Sequence, residues 1–556
     1  MSWYDEAVFY HIYPLGLTGA PKQNPYGEPV SRLKDLIPWI EHIRSLHCNA
    51  LYIGPLFESV GHGYETTDYK KLDSRLGTND DLKDFVSLCH KAGIRVIFDG
   101  VFNHTGRDFF AFRDLKEHRE ASPYKDWFCN VNFWGNNEYN DGFSYDNWGG
   151  YNLLVKLNQR NPAVQDYICD VIRFWVKEFD IDGIRLDAAD VLDFQFMSCL
   201  RQLADQVKPD FWLMGEVIHG EYSRWVNEGT LHSVTNYHLH KALYSGHNDH
   251  NYFEIAHTVK RLNDMGGGRP DGLKLYNFVD NHDVERIYTK LNRKKHFLPV
   301  HILLYTLPGI PSIYYGSEFG IEGKKERYSD DSLRPALSLE DYADALTDNP
   351  CTALISALGK IRQEVPALSY GDYQEIQLTT THYVFARRWH GSCVYIAVNN
   401  GDHDVEINLS AQGHKTFQGG LSGQVLEARD GMIHFVIPAD SGEIWIPDGN
   451  LETEDLMEKL DSLSVPSGAK ENSVQDKEDS ETDQKGKDNQ EIISDEPVGP
   501  VEVNWNKPYE EMEVPELQEA VLAKLGQNGP VTDQMKREVR ENVYKDSLIN
   551  WAKSFR

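Results

Sequence analysis

The stretch "IDGIRLDAAD", residues 181–190, places charged side chains inside an apolar run. Ile184 and Leu186 favour a core, yet Arg185 and Asp187 alternate with them. Side chains two apart in a strand share a face, so the arginine and the aspartate face together and the apolar pair faces away. Two interpretations stay open for this segment alone, a structural ion pair or a carboxylate kept ionised for chemistry.

Strand-like runs recur along the first 370 residues, with amphipathic helical stretches between them. The helical stretch 78–93 has Thr78 as its expected N-cap, and 161–179 has Asn161 followed by Pro162. About eight strand–helix repeats predict an α/β fold, a (β/α)8 TIM barrel. The strand-like runs are 7–14, 50–57, 94–104, 182–190, 211–217, 273–283 and 310–316, with a weaker one at 231–237.

The remaining segments predict four further units. An aromatic, Gly- and Asn-rich excursion interrupts the barrel, and a period of two after residue 370 predicts a C-terminal antiparallel β-sandwich. Residues 451–500 hold 15 acidic and 5 basic side chains and no aromatic one, as in a disordered acidic linker. The last segment predicts a helical C-terminal module, two short amphipathic helices split by "GQNGP". The predicted boundaries are 1–104 and 161–370 for the barrel, 105–160 for the inserted subdomain B, 371–448 for the sandwich, 449–504 for the linker and 505–556 for the module.

Composition argues against several classes of partner. The formal net charge of -30 repels phosphate backbones and anionic lipids, so we expect no nucleic acid and no membrane as partner. No apolar run approaches the length of a membrane span, and the first residues lack a secretory signal. Seven scattered cysteines without a CxxC pair fit free thiols, so the expected location is cytoplasmic.

Acidic side chains stand at the ends of four predicted strands. They are Asp99, Asp187, Glu216 and Asp283, with His104 and His282 close to two of them in sequence. The carboxyl ends of parallel barrel strands meet at one mouth, where active sites form. Charges gathered there are costly unless they perform chemistry, which favours a catalytic interpretation over packing.

Four ordered motifs, "DGVFNH" (99–104), "GIRLDAAD" (183–190), "GEVIHG" (215–220) and "FVDNHD" (278–283), carry a family resemblance. The chain resembles the alpha-amylase family, glycoside hydrolase family 13. It is most similar in character to neopullulanase, cyclomaltodextrinase and maltodextrin-degrading members, without their N-terminal domain. The segments 61–78 and 310–320 extend the resemblance.

The resemblance implies a role for each matched residue. Asp187 is implied as nucleophile, Glu216 as general acid/base and Asp283 as the third catalytic carboxylate. Substrate contacts are implied for Tyr64, Asp99, His104, Arg185 and His282, and for the pair Asp330 and Arg334, whose alternative is a surface salt bridge.

A retaining mechanism needs one ionised and one protonated carboxyl group. Arg185 next to Asp187 is expected to keep that group ionised. Glu216, followed by Val217 and Ile218, is expected to hold the proton.

Some positions differ from the family pattern or stay open. Glu65 replaces an aspartate, and Asp190 stands where relatives place a residue that contacts the leaving group. Trp148 either walls the cleft or packs inside the subdomain. We expect no required cofactor and assign no metal site. Calcium, which some relatives bind near Asn103, stays an open alternative, although the inserted segment offers no clear acidic cluster for it.

The expected function is hydrolysis of α-1,4-glucosidic bonds in maltodextrins, starch-derived oligosaccharides or cyclodextrins through a covalent glycosyl-enzyme. The alternatives are a 4-α-glucanotransferase-type transglycosylase and, more remotely, a non-catalytic binding or scaffold relative. Residues 505–556 are expected either to bind a protein partner or a second copy, or to fold back on the barrel.

Overall fold

A computed structural model describes residues 2–267, 273–326, 329–449, 451, 455–464, 503, 507–509, 512, 514–528 and 539. The chain divides into two compact units, residues 1–470 and residues 471–556.

Twenty-one strands occur in the described residues. In chain order they are β1 Phe9–Ile12, β2 Ala50–Ile53, β3 Phe57–Ser59, β4 Thr66–Leu72, β5 Arg95–Gly100, β6 His104–Thr105, β7 Asn147–Trp148, β8 Tyr151–Lys156, β9 Gly183–Leu186, β10 Trp212–Gly215, β11 Ser233–Val234, β12 Tyr276–Asn277, β13 Ile310–Tyr314, β14 Asp372–Leu378, β15 His382–Trp389, β16 Ser392–Asn399, β17 Val405–Ser410, β18 Thr416–Gly419, β19 Val425–Glu427, β20 Met432–Ile437 and β21 Ser441–Pro447.

The α-helices of the described residues are α1 Pro14–Leu17, α2 Ile37–Ser45, α3 Asn79–Lys91, α4 Phe110–His118, α5 Pro162–Phe179, α6 Phe194–Val207, α7 Tyr237–Asn248, α8 Tyr252–Met265, α9 Ile287–Lys290, α10 Phe297–Thr306, α11 Ala345–Asp348, α12 Pro350–Glu364, α13 Pro366–Tyr370, α14 Met457–Leu460 and α15 Val514–Asn528. Their predicted starts are confirmed where a cap defines them. The Thr78 hydroxyl accepts from Asp81 N at the start of α3, and the Asn161 side chain accepts from Ala163 N at the start of α5.

Eight parallel strands close into the predicted barrel. The hydrogen-bonded order is β11-β10-β9-β5-β2-β1-β13-β12. A parallel bridge between Thr235 and Tyr276 joins the two ends of this order, with Asn236 N donating to Tyr276 O at 2.9 Å. The prediction of a TIM barrel is therefore confirmed, including the weak sixth strand.

The two faces of the barrel strands differ as the alternation in β9 predicts. Ile184 and Leu186 are buried in the large core between the strands and the surrounding helices. A separate apolar cluster, including Phe9, Tyr52 and Trp212, fills the lumen. Arg185 and Asp187 face the lumen side, above this apolar cluster.

The inserted segment forms a small sheet of order β6-β8-β7 beside α4. Phe112, Phe128 and Phe143 are buried under it. Its pairing of His104 with Lys156 ties the subdomain directly to the end of β5, so the subdomain borders the barrel mouth.

The C-terminal part of the first unit is antiparallel, as predicted. A six-stranded sheet, β14-β15-β16-β21-β18-β19, faces the pair β17-β20. Their shared core includes Trp445, Phe417 and Phe435.

Part of the segment predicted as acidic linker is helical. Residues 455–464, assigned to the acidic linker, form α14 and a following 3-10 turn. Leu456, Leu460 and Leu463 are buried in the main core, and Tyr288 donates to Leu463 O at 3.3 Å. The acidic composition misled the prediction because these three leucines, spaced three and four apart, form an apolar stripe.

The second unit contains α15 and a cluster of Met512, Leu517, Ala520, Val521 and Val539. The predicted second amphipathic helix, with Trp551 and Phe555, lies outside the described residues. Among the described residues, no helix is long and apolar enough to cross a membrane.

Candidate active site

One guanidinium joins three of the four predicted acidic groups. Arg185 Nη1 lies 3.0 Å from Asp99 Oδ1 and 2.7 Å from Asp187 Oδ1, and Nη2 lies 2.9 Å from Glu216 Oε2. These residues come from the adjacent strands β5, β9 and β10, whose register pairs Asp99 with Arg185. The structure thus brings together side chains that are separated by more than one hundred residues.

Backbone bonds fix the two carboxyl groups relative to each other. Asp187 N donates to Gly100 O and Glu216 N donates to Leu186 O, which extends the parallel pairing past the strand ends. Ala188 then adopts a left-handed conformation with φ +45°. This strained turn directs its N–H to Glu216 Oε2 at 3.2 Å, so the loop after Asp187 also holds Glu216.

The third carboxylate, Asp283, joins the same site through a second arginine. Arg334 Nη2 lies 2.8 Å from Asp283 Oδ1 and 3.1 Å from Asp330 Oδ2, and Arg334 Nε donates to His282 O. Arg334 therefore lies beside Asp283, while a sugar-binding role for the pair Asp330 and Arg334 stays a prediction. The side chains of Asp187, Glu216 and Asp283 are 11, 13 and 34 % exposed, so all three remain partly accessible to solvent.

Tyr64 and His282 line the floor between the carboxylates. The Tyr64 hydroxyl lies 2.5 Å from His282 Nε2 and donates to Asp99 Oδ2 at 3.1 Å. The two rings are parallel, with centroids 5.7 Å apart. His282 Nε2 also lies 3.0 Å from Asp283 Oδ2. A half-buried aromatic face beside three carboxylates suits the apolar face of a sugar ring.

His104 lies at the junction with the inserted subdomain. Its ring centroid is 5.8 Å from that of Trp148, which is 40 % exposed. Trp148 is therefore not buried inside the subdomain, and its role as a cleft wall stays a prediction. Burial lowers the pKa of His104 to about 3, so this ring is neutral at physiological pH.

The electrostatics differ from the predicted contrast between the two carboxyl groups. Burial raises the pKa of Asp187 well above its usual value; Arg185 opposes this, while the charges of Glu216 and Asp99 add to it. Arg185 acts on the pKa of Asp187 in the predicted direction, but burial outweighs it. One cation is shared among three acids, and Glu216 contacts polar groups rather than an apolar environment.

Asp283 is the group that stays ionised. Burial would raise the pKa of its carboxyl, but His282, Arg334 and Arg185 outweigh burial and hold the pKa well below its usual value. The carboxyl groups of the site thus have two arginine partners. Arg185 contacts Asp187 and Glu216, and Arg334 contacts Asp283.

Sequence reasoning missed two polar residues of the site. Tyr237 donates its hydroxyl hydrogen to Glu216 Oε1 at 3.3 Å, and Asn281 donates to the Tyr237 hydroxyl at 3.2 Å. Asn281 lies inside the quoted motif "FVDNHD", which was the available signal, whereas nothing local to Tyr237 marked it.

Two departures from the family pattern have structural explanations. Glu65 accepts the backbone N–H groups of His62 and Gly63, so its longer side chain braces the turn that presents Tyr64. Asp190 lies beside the cleft next to Glu216. Burial and the charge of Glu216 raise the pKa of Asp190 to about 6.

Asn103 is hydrogen-bonded within the protein. Its side-chain oxygen accepts from Gln159 Nε2 at 3.4 Å, and its amide nitrogen lies 3.2 Å from His104 Nδ1. Among the described residues, no group of three or more His, Cys, Asp or Glu side chains is arranged to hold a metal. The expectation that no metal is required stays a prediction.

Comparisons with known proteins agree with this arrangement. Residues 23–354 match the family described as "Alpha amylase, catalytic domain", and residues 371–445 match "Alpha-amylase C-terminal domain". A cyclomaltodextrinase of Thermoanaerobacter pseudethanolicus is 31% identical over 434 residues, 74% of this chain and 72% of the relative. An intracellular maltogenic amylase of Bacillus subtilis is 29% identical over 343 residues, 58% of this chain and 57% of the relative.

A solved cyclomaltodextrinase structure superimposes with a TM-score of 0.70 at 26% identity, covering 80% of this chain and 78% of the other. The matched catalytic domain spans more than half of the sequence and contains every carboxylate of the site. The chain therefore belongs to the alpha-amylase family of glycoside hydrolases.

Proposed function

We propose that this chain is a retaining hydrolase of α-1,4-glucosidic bonds, with maltodextrins or cyclodextrins as substrates. The observation that carries the proposal is the convergence of three carboxyl groups. Arg185 contacts Asp187 and Glu216, Arg334 contacts Asp283, and Tyr237 with Asn281 links Glu216 to the Asp283 loop. Relatives named cyclomaltodextrinase and maltogenic amylase support the substrate class.

The proposed reaction has two steps. Asp187 attacks C1 of the sugar and forms an ester bond, the glycosidic bond breaks, and Glu216 gives its proton to the leaving oxygen. A water molecule then attacks C1, Glu216 takes one of its protons, and the ester to Asp187 breaks. Asp283, ionised beside Arg334, binds hydroxyl groups of the same ring and stabilises positive charge that develops on it.

The reaction itself favours the ionised form of Asp187. The oxocarbenium-like transition state carries positive charge opposite Asp187, which stabilises the negative carboxylate. The proton is needed at the leaving oxygen, a step that the proposed reaction assigns to Glu216.

A trapping experiment tests the assignment of Asp187. A fluorinated maltosyl fluoride should leave a glycosyl ester on a peptide that contains Asp187, and Asp187→Asn should abolish both labelling and turnover with unchanged folding. Label on another residue, or turnover by the variant, contradicts the proposal. The anomeric form of the first product, followed by NMR, should be α.

The product profile distinguishes hydrolysis from transfer. Incubation of maltotriose should yield glucose and maltose for a hydrolase, and longer oligosaccharides in addition for a transglycosylase. Parallel reactions with starch, pullulan and cyclodextrin define chain-length and linkage preference.

We propose that activity needs no metal ion, on the basis of the amide partners of Asn103. Treatment with a chelator should leave both turnover and the melting temperature unchanged. A loss that calcium restores contradicts this.

We propose a cytoplasmic location, supported by seven free cysteines and an intracellular relative. Cell fractionation tests it.

We also propose that residues 505–556 bind a protein partner or a second copy of the chain. Deleting 465–556 should change the number of chains per particle in solution or the set of bound proteins. If both stay unchanged, a docking role is rejected.

A further inference from the structure

Tyr237 approaches Glu216 from the side opposite Arg185. It is the first residue of α7, directly after the end of barrel strand β11. Its hydroxyl lies 3.3 Å from Glu216 Oε1 and 3.2 Å from Asn281 Nδ2. A phenol carries a single hydrogen, and an amide NH₂ group can only donate. Because Asn281 donates to the tyrosine oxygen, the hydroxyl hydrogen is free to point at Glu216.

The two oxygens of Glu216 have unlike surroundings. Oε2 accepts from Arg185 Nη2 at 2.9 Å and from Ala188 N at 3.2 Å. Oε1 accepts from Tyr237. An oxygen that faces a cation and a second donor retains the negative charge. In the protonated form of Glu216 that the proposed function requires, Oε1, which faces no cation, is therefore the oxygen that carries the proton.

The support behind Tyr237 is rigid. Asn281 Oδ1 accepts the backbone N–H groups of Asp283 at 2.8 Å and Val284 at 3.1 Å. The Tyr237 ring packs edge-on against Phe278, with centroids 4.9 Å apart. The hydroxyl is thus held by the same loop that carries Asp283, so two catalytic carboxylates share one support.

We propose that Tyr237 is a positioning residue that holds Oε1 of Glu216 in place as the oxygen that delivers the proton, with Asn281 linking it to the Asp283 loop. The proposal rests on the proposed function of Glu216 as acid/base. Tyr237 does not touch the reacting bond in this scheme; it acts through the direction of one carboxyl oxygen.

The test compares two substrates that differ in their need for a proton. Cleavage of maltotriose requires protonation of a poor leaving group, whereas the first-turnover release of fluoride from α-maltosyl fluoride does not. Tyr237→Phe should lower the first-turnover rate on maltotriose about tenfold and that on α-maltosyl fluoride less than about twofold, with KM unchanged. A tenfold change corresponds to 1.36 kcal/mol.

Two further variants serve as a positive comparison and a control. Glu216→Gln should show the same split in a larger form. Tyr395→Phe removes a tyrosine hydroxyl in the C-terminal sandwich, where it donates to Ser410 O at 2.8 Å, and should alter neither rate. Melting temperatures of all variants control for folding.

An equal fall on both substrates, or no fall on maltotriose, overturns the proposal for Tyr237. If the wild-type enzyme cleaves neither substrate, the proposed function fails instead. The two failures are therefore distinguishable in one set of measurements.

Discussion

Arg185→Lys is the most informative single substitution. The variant keeps a positive charge under Asp187 and Glu216, but a lysine presents one compact ammonium in place of two guanidinium nitrogens. In the structure Nη1 contacts Asp99 and Asp187, while Nη2 contacts Glu216. One ammonium cannot occupy both places, so at least one of the carboxyl groups loses its cationic partner.

The magnitude follows from those contacts. A hydrogen bond to a charged group contributes about 1.5–3 kcal/mol, and a misdirected acid/base or nucleophile adds to the loss. We expect kcat on maltotriose to fall by about 10²–10³, which equals about 3–4 kcal/mol of transition-state stabilisation. We expect KM to change little, because the arginine lies beneath the carboxylates.

Steady-state kinetics and calorimetry measure the effect. Arg160→Lys is the matched control, since Arg160 pairs with Asp193 on the surface with 80% of its side chain exposed. That variant should behave as wild type. Activity of Arg185→Lys within threefold of wild type would refute the view that geometry, rather than charge alone, makes the guanidinium necessary.

Three further predictions concern other parts of the molecule. Trp148→Ala should lower kcat/KM on maltodextrins about tenfold, because it removes an aromatic ring next to His104 that is proposed to wall the cleft. Trp134→Ala, which removes a 99% exposed ring, should leave kcat/KM unchanged. Equal effects of the two variants would argue against a cleft-wall role of Trp148. Truncation after residue 464 should preserve the melting temperature, while truncation after residue 450 should lower it by several degrees, because each buried leucine of α14 and the following turn contributes about 1.5–3 kcal/mol; equal melting temperatures would contradict the packing. The free energy of unfolding should decrease as the pH is lowered from about 6.5 to 4. The reason is that burial lowers the pKa of His240 and His247 to about 3 and that of His301 to about 4. Below 6.5 the unfolded chain binds protons that the folded chain does not, at a cost of about 1.4 kcal/mol per pH unit for each histidine; a melting temperature equal at pH 5 and pH 7.5 would contradict this.

Several features follow from local sequence because local physics determines them. Alternation in β9 predicts that Arg185 and Asp187 share the lumen face, and the structure places Ile184 and Leu186 in the outer core. The caps Thr78 and Asn161 start their helices as expected, since a cap needs only a side chain and the next few N–H groups. The order of four acidic strand ends was sufficient to predict the barrel mouth.

Other features were decided by tertiary contacts. The sequence indicated that Arg185 pairs with Asp187, but in the closed barrel Arg185 also contacts Asp99 and Glu216. Burial and the charges of these two acids raise the pKa of Asp187. Tyr237 acquires its place only because β11 and β12 close the sheet next to Glu216. Sequence patterns report which face of an element a side chain occupies. The distances between charges on different strands, on which pKa values and proton transfer depend, exist only after the strands have closed into a barrel.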